Sequence, residues 1–148
     1  DLCWRLQAMG FQIWVEPNAV VYHKNALSMP MHSHKKYYLN HRNSLLMLFG
    51  NYSLTNAWFL GSIRIILEFI AIGYSLLKLD WKHASAILQS LFFMLFHPNV
   101  ILKKRSKFRK VRKEKDRKII KNFLKSSIVI EHYLKSKNTY SEIESIDS

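Results

Sequence analysis

Three histidines, His23, His32 and His34, lie close together in the sequence and are candidates for binding a metal ion. Neutral imidazole is a common ligand of divalent cations. His32 and His34 lack the partner spacing of a zinc site, so histidines on a surface loop are the alternative interpretation for these two. His23 differs because it follows a predicted strand, which would fix the direction of its ring.

Arg42 and Asn43 are a second group that could do chemistry. They lie in a helix predicted for residues 35–50, which Ser33 can cap at its N-terminus. Arg42 falls on the apolar face of this helix, one turn after Tyr38. A guanidinium that points inward needs a carboxylate, a phosphate or several carbonyls. Two interpretations are open: an internal salt bridge to an acid such as Glu16, or contact with a phosphate-bearing ligand. Asn43 could supply an amide hydrogen bond in either case.

Short elements at the start of the chain would position these groups. Leu2, Leu6 and Met9 recur at helical spacing, and Gly10 is the residue type that ends a helix in a left-handed conformation. The sequence therefore predicts a short helix that stops at Gly10.

Two strands are predicted after that helix. Residues 11–16 alternate apolar and polar, as in a strand covered on one face, and Pro17 begins a turn. Residues 19–22 are mostly apolar, as in a strand buried on both faces. A hairpin ending at His23 is expected.

Residues 57–79 form a 23-residue apolar segment, and about 20 apolar residues suffice to span a bilayer. Such a helix either lies in the membrane interface with a polar stripe towards water, or spans the membrane with the stripe against protein. A core helix of a soluble protein is the third interpretation. The stripe consists of small and polar residues at alternating steps of four and three: Ala57, Gly61, Arg64, Glu68, Ala71, Ser75 and Lys78.

A second apolar segment, residues 84–96, ends before Pro98 and is too short to span. It predicts an interfacial or re-entrant helix, with Trp81 and Tyr74 at the level of the headgroups.

The chain is strongly basic, and most of the excess lies in residues 103–118. Lys and Arg number 23 against 10 acidic residues, a formal net charge of +13. After two membrane-seeking segments, a basic run is typical of binding to anionic lipid on the cytoplasmic face. A nucleic-acid arm is the weaker alternative because Phe108 is the only aromatic residue in the run. A solvated helical tail is a third interpretation. The single Cys3 excludes an internal disulfide.

Several of these residues occur in the order known from one enzyme family. Residues 1–6, DLCWRL, precede Gly10 and a predicted strand pair that ends at His23, and residues 37–43 contain Tyr-Tyr-x-x-x-Arg-Asn. This order resembles the end of the catalytic domain in family 2 glycosyltransferases, particularly rhamnosyltransferase-like ones. In these enzymes the segment reads Glu-Asp-x-Asp-Leu-Cys-x-Arg, then Gly, then a strand pair ending in His. The resemblance covers about the first 50 residues.

The resemblance implies an α/β protein: the C-terminal part of a GT-A fold, followed by mainly helical chain. It implies inverting transfer from a nucleotide sugar to a lipid-linked or polysaccharide acceptor with a divalent metal, Mn or Mg. Asp1 would support the site or orient the acceptor, and Arg5 would brace it through an ion pair. His23 would complete a metal site supplied mainly by residues upstream, and Arg42 with Asn43 would lie near the acceptor or diphosphate.

The expected organisation is a catalytic-domain end at 1–50, membrane-associated helices at 51–102, a basic helical tail at 103–135 and a disordered tail at 136–148. The resemblance places the catalytic base two residues before Asp1, so the chain is expected to be a C-terminal piece that is inactive alone. Two other function classes stay open: a non-catalytic membrane-anchored scaffold, and a membrane-tethered binder of nucleic acid.

Overall fold

The computed structural model describes residues 1–16, 18–22 and 30–121, and these form helices without any strand. The helices are α1 (Leu2–Ala8), α2 (His34–Asn51), α3 (Leu54–Leu77), α4 (Trp81–Phe96), α5 (Pro98–Val111) and α6 (Asp116–Ile120). The described part of the chain is therefore all-α, and the predicted α/β class with its GT-A sheet is wrong. The predicted tails, from residue 122 onward, lie outside the described residues.

The two predicted strands fail for a physical reason. Residues 11–16 and 19–22 are irregular and exposed, and their side chains include Val15, Val21 and Tyr22 at 84% exposure or more. Alternating apolar residues make a strand only where a neighbouring strand pairs with the backbone and a layer covers the apolar face. Nothing in the described residues does either.

α1 ends as its sequence predicts. Gly10 has a φ of +92°. The backbone N–H of Phe11 donates to the carbonyl of Leu6 at 3.0 Å, and the N–H of Gly10 to that of Gln7 at 2.9 Å. These two hydrogen bonds satisfy carbonyls that the helix end would leave unpaired. Trp4 of α1 is buried and stacks on Tyr52, with 4.0 Å between ring centroids.

α2, α3 and α4 pack as an up-down-up group with α2 against both of the others. Ser33 accepts a hydrogen bond from the backbone N–H of Lys36, which confirms its predicted role as the N-cap of α2. Between α3 and α4 lies a small core, formed by Ile72, Ala84 and Ile87 with Ala71 and Leu91 packed against it.

α4 and α5 meet at a bend of 69°. Pro98 is the first residue of α5 and cannot continue the hydrogen bonds of α4, which explains the break. After the bend α5 packs against α2, and Phe108 is buried. Asp1–Asp116 form one compact unit, and the rest of α6 belongs to a second.

α2 and α3 approach closely at Gly61. A Cβ atom on Gly61 would overlap the ring of Phe49 in α2, whereas a Cβ on Gly73 in the same helix would have nothing within 4 Å. Gly61→Ala is therefore expected to push the two helices apart and to destabilise the fold by about 1–3 kcal/mol. Gly73→Ala is the matched control and should stabilise it by up to about 1 kcal/mol, because alanine is the better helix former. Thermal unfolding in mild detergent measures both, and equal effects would contradict the close packing.

Candidate functional site

Large apolar side chains cover the outside of α3 and α4. α3 is long and apolar enough to cross a membrane, yet only 22% of its most apolar stretch is buried. A core helix of a soluble protein would be mostly buried, so the geometry disfavours that interpretation. The large apolar residues exposed by at least 39% are Leu54, Trp58, Phe59, Ile63, Ile66, Leu67, Phe69, Ile70, Tyr74, Leu76 and Leu77 on α3, and Trp81, Leu88, Phe92, Leu95 and Phe96 on α4. These residues are called the apolar surface below.

The small and polar stripe of α3 faces the other helices instead. Ala57, Gly61, Glu68 and Ser75 are buried, while Lys78 at the end of the stripe is exposed. This arrangement, with polar groups between the helices and apolar groups on the outside, is the reverse of the one found in helix pairs of soluble proteins.

A chain of polar side chains connects the three helices at this stripe. Glu68 is completely buried, and its carboxylate lies 2.7 Å from a guanidinium nitrogen of Arg64. Nδ1–H of His41 in α2 donates to Glu68 Oε2 at 2.6 Å. Nε2 of His41 lies 3.1 Å from Nε2 of His83 in α4, and Nδ1 of His83 lies 2.9 Å from the Ser75 hydroxyl. These five residues are called the buried polar cluster below.

The Ser75 hydroxyl sets the donor and acceptor roles at one end of this cluster. The Ser75 hydroxyl donates to the carbonyl of Ala71 at 2.8 Å, so it accepts from Nδ1–H of His83. The two facing Nε2 atoms can share one hydrogen bond when one of them carries a proton. Burial and the neighbouring His41 lower the pKa of His83, although Asp80 and Glu68 oppose them.

Burial alone would raise the pKa of the Glu68 carboxyl. Hydrogen bonds and charges from His41 and Arg64 outweigh that effect, so the pKa lies below its usual range. Glu68 is therefore an anion that pairs with the guanidinium of Arg64 and accepts a hydrogen bond from His41.

Cations of the basic run cap the C-terminal end of α2. Arg105 donates to the carbonyl of Phe49 at 2.5 Å, Arg112 to that of Asn51 at 2.9 Å, and Lys104 to that of Leu46 at 3.4 Å. Positive side chains stabilise unpaired carbonyls at this end of a helix. These three residues are parts of the fold and not of a solvated tail.

Other cations of α5 are exposed. Lys103, Lys107 and Lys110 recur at i, i+4 and i+7 and share one exposed face with Val100 and Val111. Lysines beside apolar side chains suit a membrane surface, where the aliphatic stems touch lipid and the ammonium groups reach the headgroups.

Asp1 and Arg5, the predicted catalytic residues, lie against this capped end. Nε of Arg5 is 3.5 Å from the Asp1 carboxylate, and Nζ of Lys104 is 3.2 Å from it. Asn51 also donates to the carboxylate. The ion pair expected between Asp1 and Arg5 is thus present and half-exposed, while a catalytic role for either residue stays a prediction.

Arg42 and Asn43, the predicted acceptor-binding residues, lie together on α2. Arg42 donates to Oδ1 of Asn43 through Nε at 3.2 Å and through one terminal nitrogen at 2.9 Å. Its guanidinium carbon lies 5.2 Å from the ring centroid of Tyr38 and 5.4 Å from that of Phe93 in α4. Glu16, the acid considered as its partner, is exposed and accepts from the backbone N–H of Asn18.

The predicted metal ligand His23 lies outside the described residues. Within 1–16, 18–22 and 30–121, no three His, Cys, Asp or Glu side chains are arranged to hold a metal ion. His32 instead shares a hydrogen bond of 2.9 Å with the hydroxyl of Tyr37. The Mn or Mg site remains a prediction.

Asp116 connects the start of α6 to the start of α3. Its carboxylate accepts from the backbone N–H of Ser53 at 2.7 Å and from the amide of Asn56 at 2.8 Å, and it pairs with Arg112. Burial alone would raise the pKa of this carboxyl, but these hydrogen bonds hold its pKa below the usual range.

Acidification is expected to weaken the fold through Asp116. Because its pKa is lower in the folded than in the unfolded chain, its stabilising contribution is complete above about pH 5 and is lost as the pH falls below about 3.9 towards the folded pKa. Thermal unfolding from pH 6 to pH 3 measures this loss. Asp116→Asn should lower stability at pH 6 and make the decline shallower. An equally steep decline in the variant would show that other carboxylates govern it.

The buried polar cluster was only partly accessible to sequence reasoning. The stripe on α3 and the spacing of Arg64 and Glu68 indicated a pair of neutralising charges. His41 and His83 are 42 positions apart, and no local pattern shows that they meet. The available signal was a buried charge on an otherwise apolar helix, which requires partners from neighbouring helices.

Comparison of the chain with protein-family models, curated proteins and solved structures found no match. Function is therefore inferred from the residues of the chain and their contacts.

Proposed function

We propose that this chain is a membrane-binding module whose helices α3 and α4 insert into one leaflet, with α5 at the headgroup level. The observation that carries the proposal is the apolar surface of α3 and α4, combined with the buried polar cluster on their inner side. Burial of apolar side chains in lipid contributes about 25 cal/mol per Å². The many large side chains of the apolar surface therefore favour insertion into lipid over exposure to water.

The position of α2 favours insertion in the plane of the membrane over a spanning helix. α2 runs antiparallel along α3, with Phe49 beside Gly61 and His41 beside Glu68. The exposed residues of α2 are polar, namely Lys35, Asn40 and Asn43. A spanning α3 would carry these polar groups into the hydrocarbon at considerable cost, whereas an in-plane α3 leaves them in water.

The lysine face of α5 favours a leaflet that contains anionic lipid, as the cytoplasmic leaflet does. Each basic residue near such a surface contributes roughly 1 kcal/mol to binding. Replacing Lys107 and Lys110 by glutamine is therefore expected to lower the affinity for vesicles with phosphatidylserine by about 10- to 30-fold at physiological salt. Flotation of the protein with vesicles over a range of lipid concentrations gives these affinities.

The matched control is Arg105→Gln, which also removes a charge from α5 but disrupts the cap of α2. It should lower the unfolding temperature, whereas the Lys107 and Lys110 double variant should keep it. If the double variant binds anionic vesicles as tightly as the unchanged chain, the lysine face is not the lipid contact. A salt-dependent shift of nucleic acid that exceeds vesicle binding would favour the nucleic-acid alternative.

Sugar transfer is a second candidate function, favoured by the ion pair of Asp1 with Arg5. Lys104 and Asn51 hold the same carboxylate, so the residues that resemble the glycosyltransferase motif are tied directly to α2 and α5. In this proposal the helices hold a family 2-like transferase at the membrane, where it moves a sugar from a nucleotide sugar to a lipid-linked or polysaccharide acceptor with a divalent metal. Asp1 and Arg5 support that site.

The coding sequence before Asp1 tests the second candidate. Codons for Glu-Asp-x directly before Asp1, with an Asp-x-Asp after a strand pattern further upstream, are expected. In that longer protein, Asp1→Asn should reduce transfer strongly while vesicle binding stays unchanged. A different upstream sequence would contradict sugar transfer and leave the membrane-binding proposal intact.

A further inference from the structure

We propose that Arg42 is a binding site for the phosphate group of a membrane lipid, an inference that rests on the membrane-binding function proposed above. The guanidinium lies between Tyr38 of α2 and Phe93 of α4, at the junction of a helix with polar outer residues and a helix with an apolar surface. A lipid whose headgroup reaches Arg42 can place its chains against α4.

The partners of Arg42 distinguish it from the other half-buried arginines of the described residues. Each of those has a carboxylate or a backbone carbonyl: Arg5 has Asp1, Arg64 has Glu68, Arg105 has the Phe49 carbonyl, and Arg112 has Asp116. Within the same residues, Arg42 makes hydrogen bonds to the neutral side-chain amide of Asn43. Its charge is therefore not neutralised by an acid in the part of the chain that the structure describes.

The surroundings orient the guanidinium for an anion. Two aromatic faces and the amide oxygen of Asn43 hold its plane, which reduces the entropy lost when a ligand binds. Asn43 is exposed, and since its oxygen accepts from Arg42, its NH₂ group can donate to the same ligand. A planar guanidinium with an adjacent amide donor matches two oxygens of a phosphate.

The apolar neighbours favour a lipid as the source of the phosphate. Phe93 contacts Arg42. Nearby on α4, Phe92 and Phe96 belong to the apolar surface and are 54% and 70% exposed. The ring of His97 also stacks on Phe93, at 4.6 Å between centroids. A free phosphate ion would use the donors alone, whereas a phospholipid also covers these rings.

Three variants test the site with vesicles of a neutral galactolipid that contain phosphatidic acid. Arg42→Lys keeps the charge but loses the planar fork, and it should lower the affinity about tenfold. Asn43→Ala keeps the charge and removes the orienting amide, and it should lower the affinity several-fold. Lys82→Gln, the control on the exposed start of α4, should have a smaller effect that is equal for any anionic lipid. Unfolding temperatures of all three in detergent should match the unchanged chain.

The outcomes separate the two proposals. If the unchanged chain does not bind the vesicles at all, the membrane-binding function fails; if it binds and Arg42→Lys binds equally well, only the phosphate site fails. Vesicles with oleate in place of phosphatidic acid should bind less tightly and lose less affinity on Arg42→Lys, because a carboxylate offers the guanidinium and the Asn43 amide fewer oxygens than a phosphate does. Inorganic phosphate at millimolar concentration should not release the protein more than chloride of equal ionic strength, and specific release by phosphate would refute the lipid as the source.

Discussion

Glu68→Ala is expected to destabilise the fold by about 3–5 kcal/mol. The substitution removes the one anion of the buried polar cluster and leaves Arg64 and His41 without their carboxylate partner. The half-buried guanidinium of Arg64 then keeps much of its desolvation cost without a counter-charge, and the ring of His41 loses its acceptor. Thermal or urea unfolding of the chain in mild detergent, followed by circular dichroism, measures the effect.

The control for this prediction removes both charges of the pair. A double variant with Arg64→Leu and Glu68→Leu should be closer in stability to the unchanged chain than Glu68→Ala is, because apolar side chains often replace a buried ion pair at little cost. If Glu68→Ala unfolds at the same temperature as the unchanged chain, the carboxylate does not hold α2, α3 and α4 together.

Phe69→Glu is expected to reduce vesicle binding about a thousandfold. Phe69 is 59% exposed in the middle of α3, so its loss from lipid costs about 2 kcal/mol, and placing a carboxylate there costs a similar amount. The two costs together correspond to three orders of magnitude in affinity. Flotation with vesicles that contain anionic lipid gives the measurement.

Asn40→Glu is the matched control, because it introduces the same charge at an exposed position of α2. It should weaken binding only a few-fold, through repulsion by the anionic surface. Similar losses in the two variants would mean that overall charge, and not insertion of α3, governs binding.

Local signals in the sequence were sufficient to predict much of the helical structure. Gly10 and Ser33 mark helix ends through backbone and side-chain chemistry within a few residues, and both act as predicted. The stripe on α3 predicted a distinct face turned either to water or to protein, and in the structure this face packs against the other helices. These features depend on near neighbours, which a single sequence displays.

Non-local features were missed or predicted wrongly. The alternation in residues 11–16 is typical of a strand, but a strand also needs a paired neighbour, and the described residues supply none. The meeting of His41 with His83 depends on how α2 crosses α4. Arg105 looked like part of a solvated or lipid-binding run, although its contact with the carbonyl of Phe49 makes it a helix cap.

The depth of α3 in the membrane tests the central claim most directly. Cys3 is the single cysteine, so Cys3→Ser allows a spin label at one chosen position at a time. Labels at Phe59, Ile66, Ile70 and Tyr74 follow one exposed face of α3, and electron paramagnetic resonance with oxygen and a polar nickel reagent measures their depth. In-plane insertion predicts the same shallow depth within one leaflet for all four. A depth that increases to a maximum and then decreases along the helix would show that α3 spans the membrane, and four labels in water would contradict membrane binding.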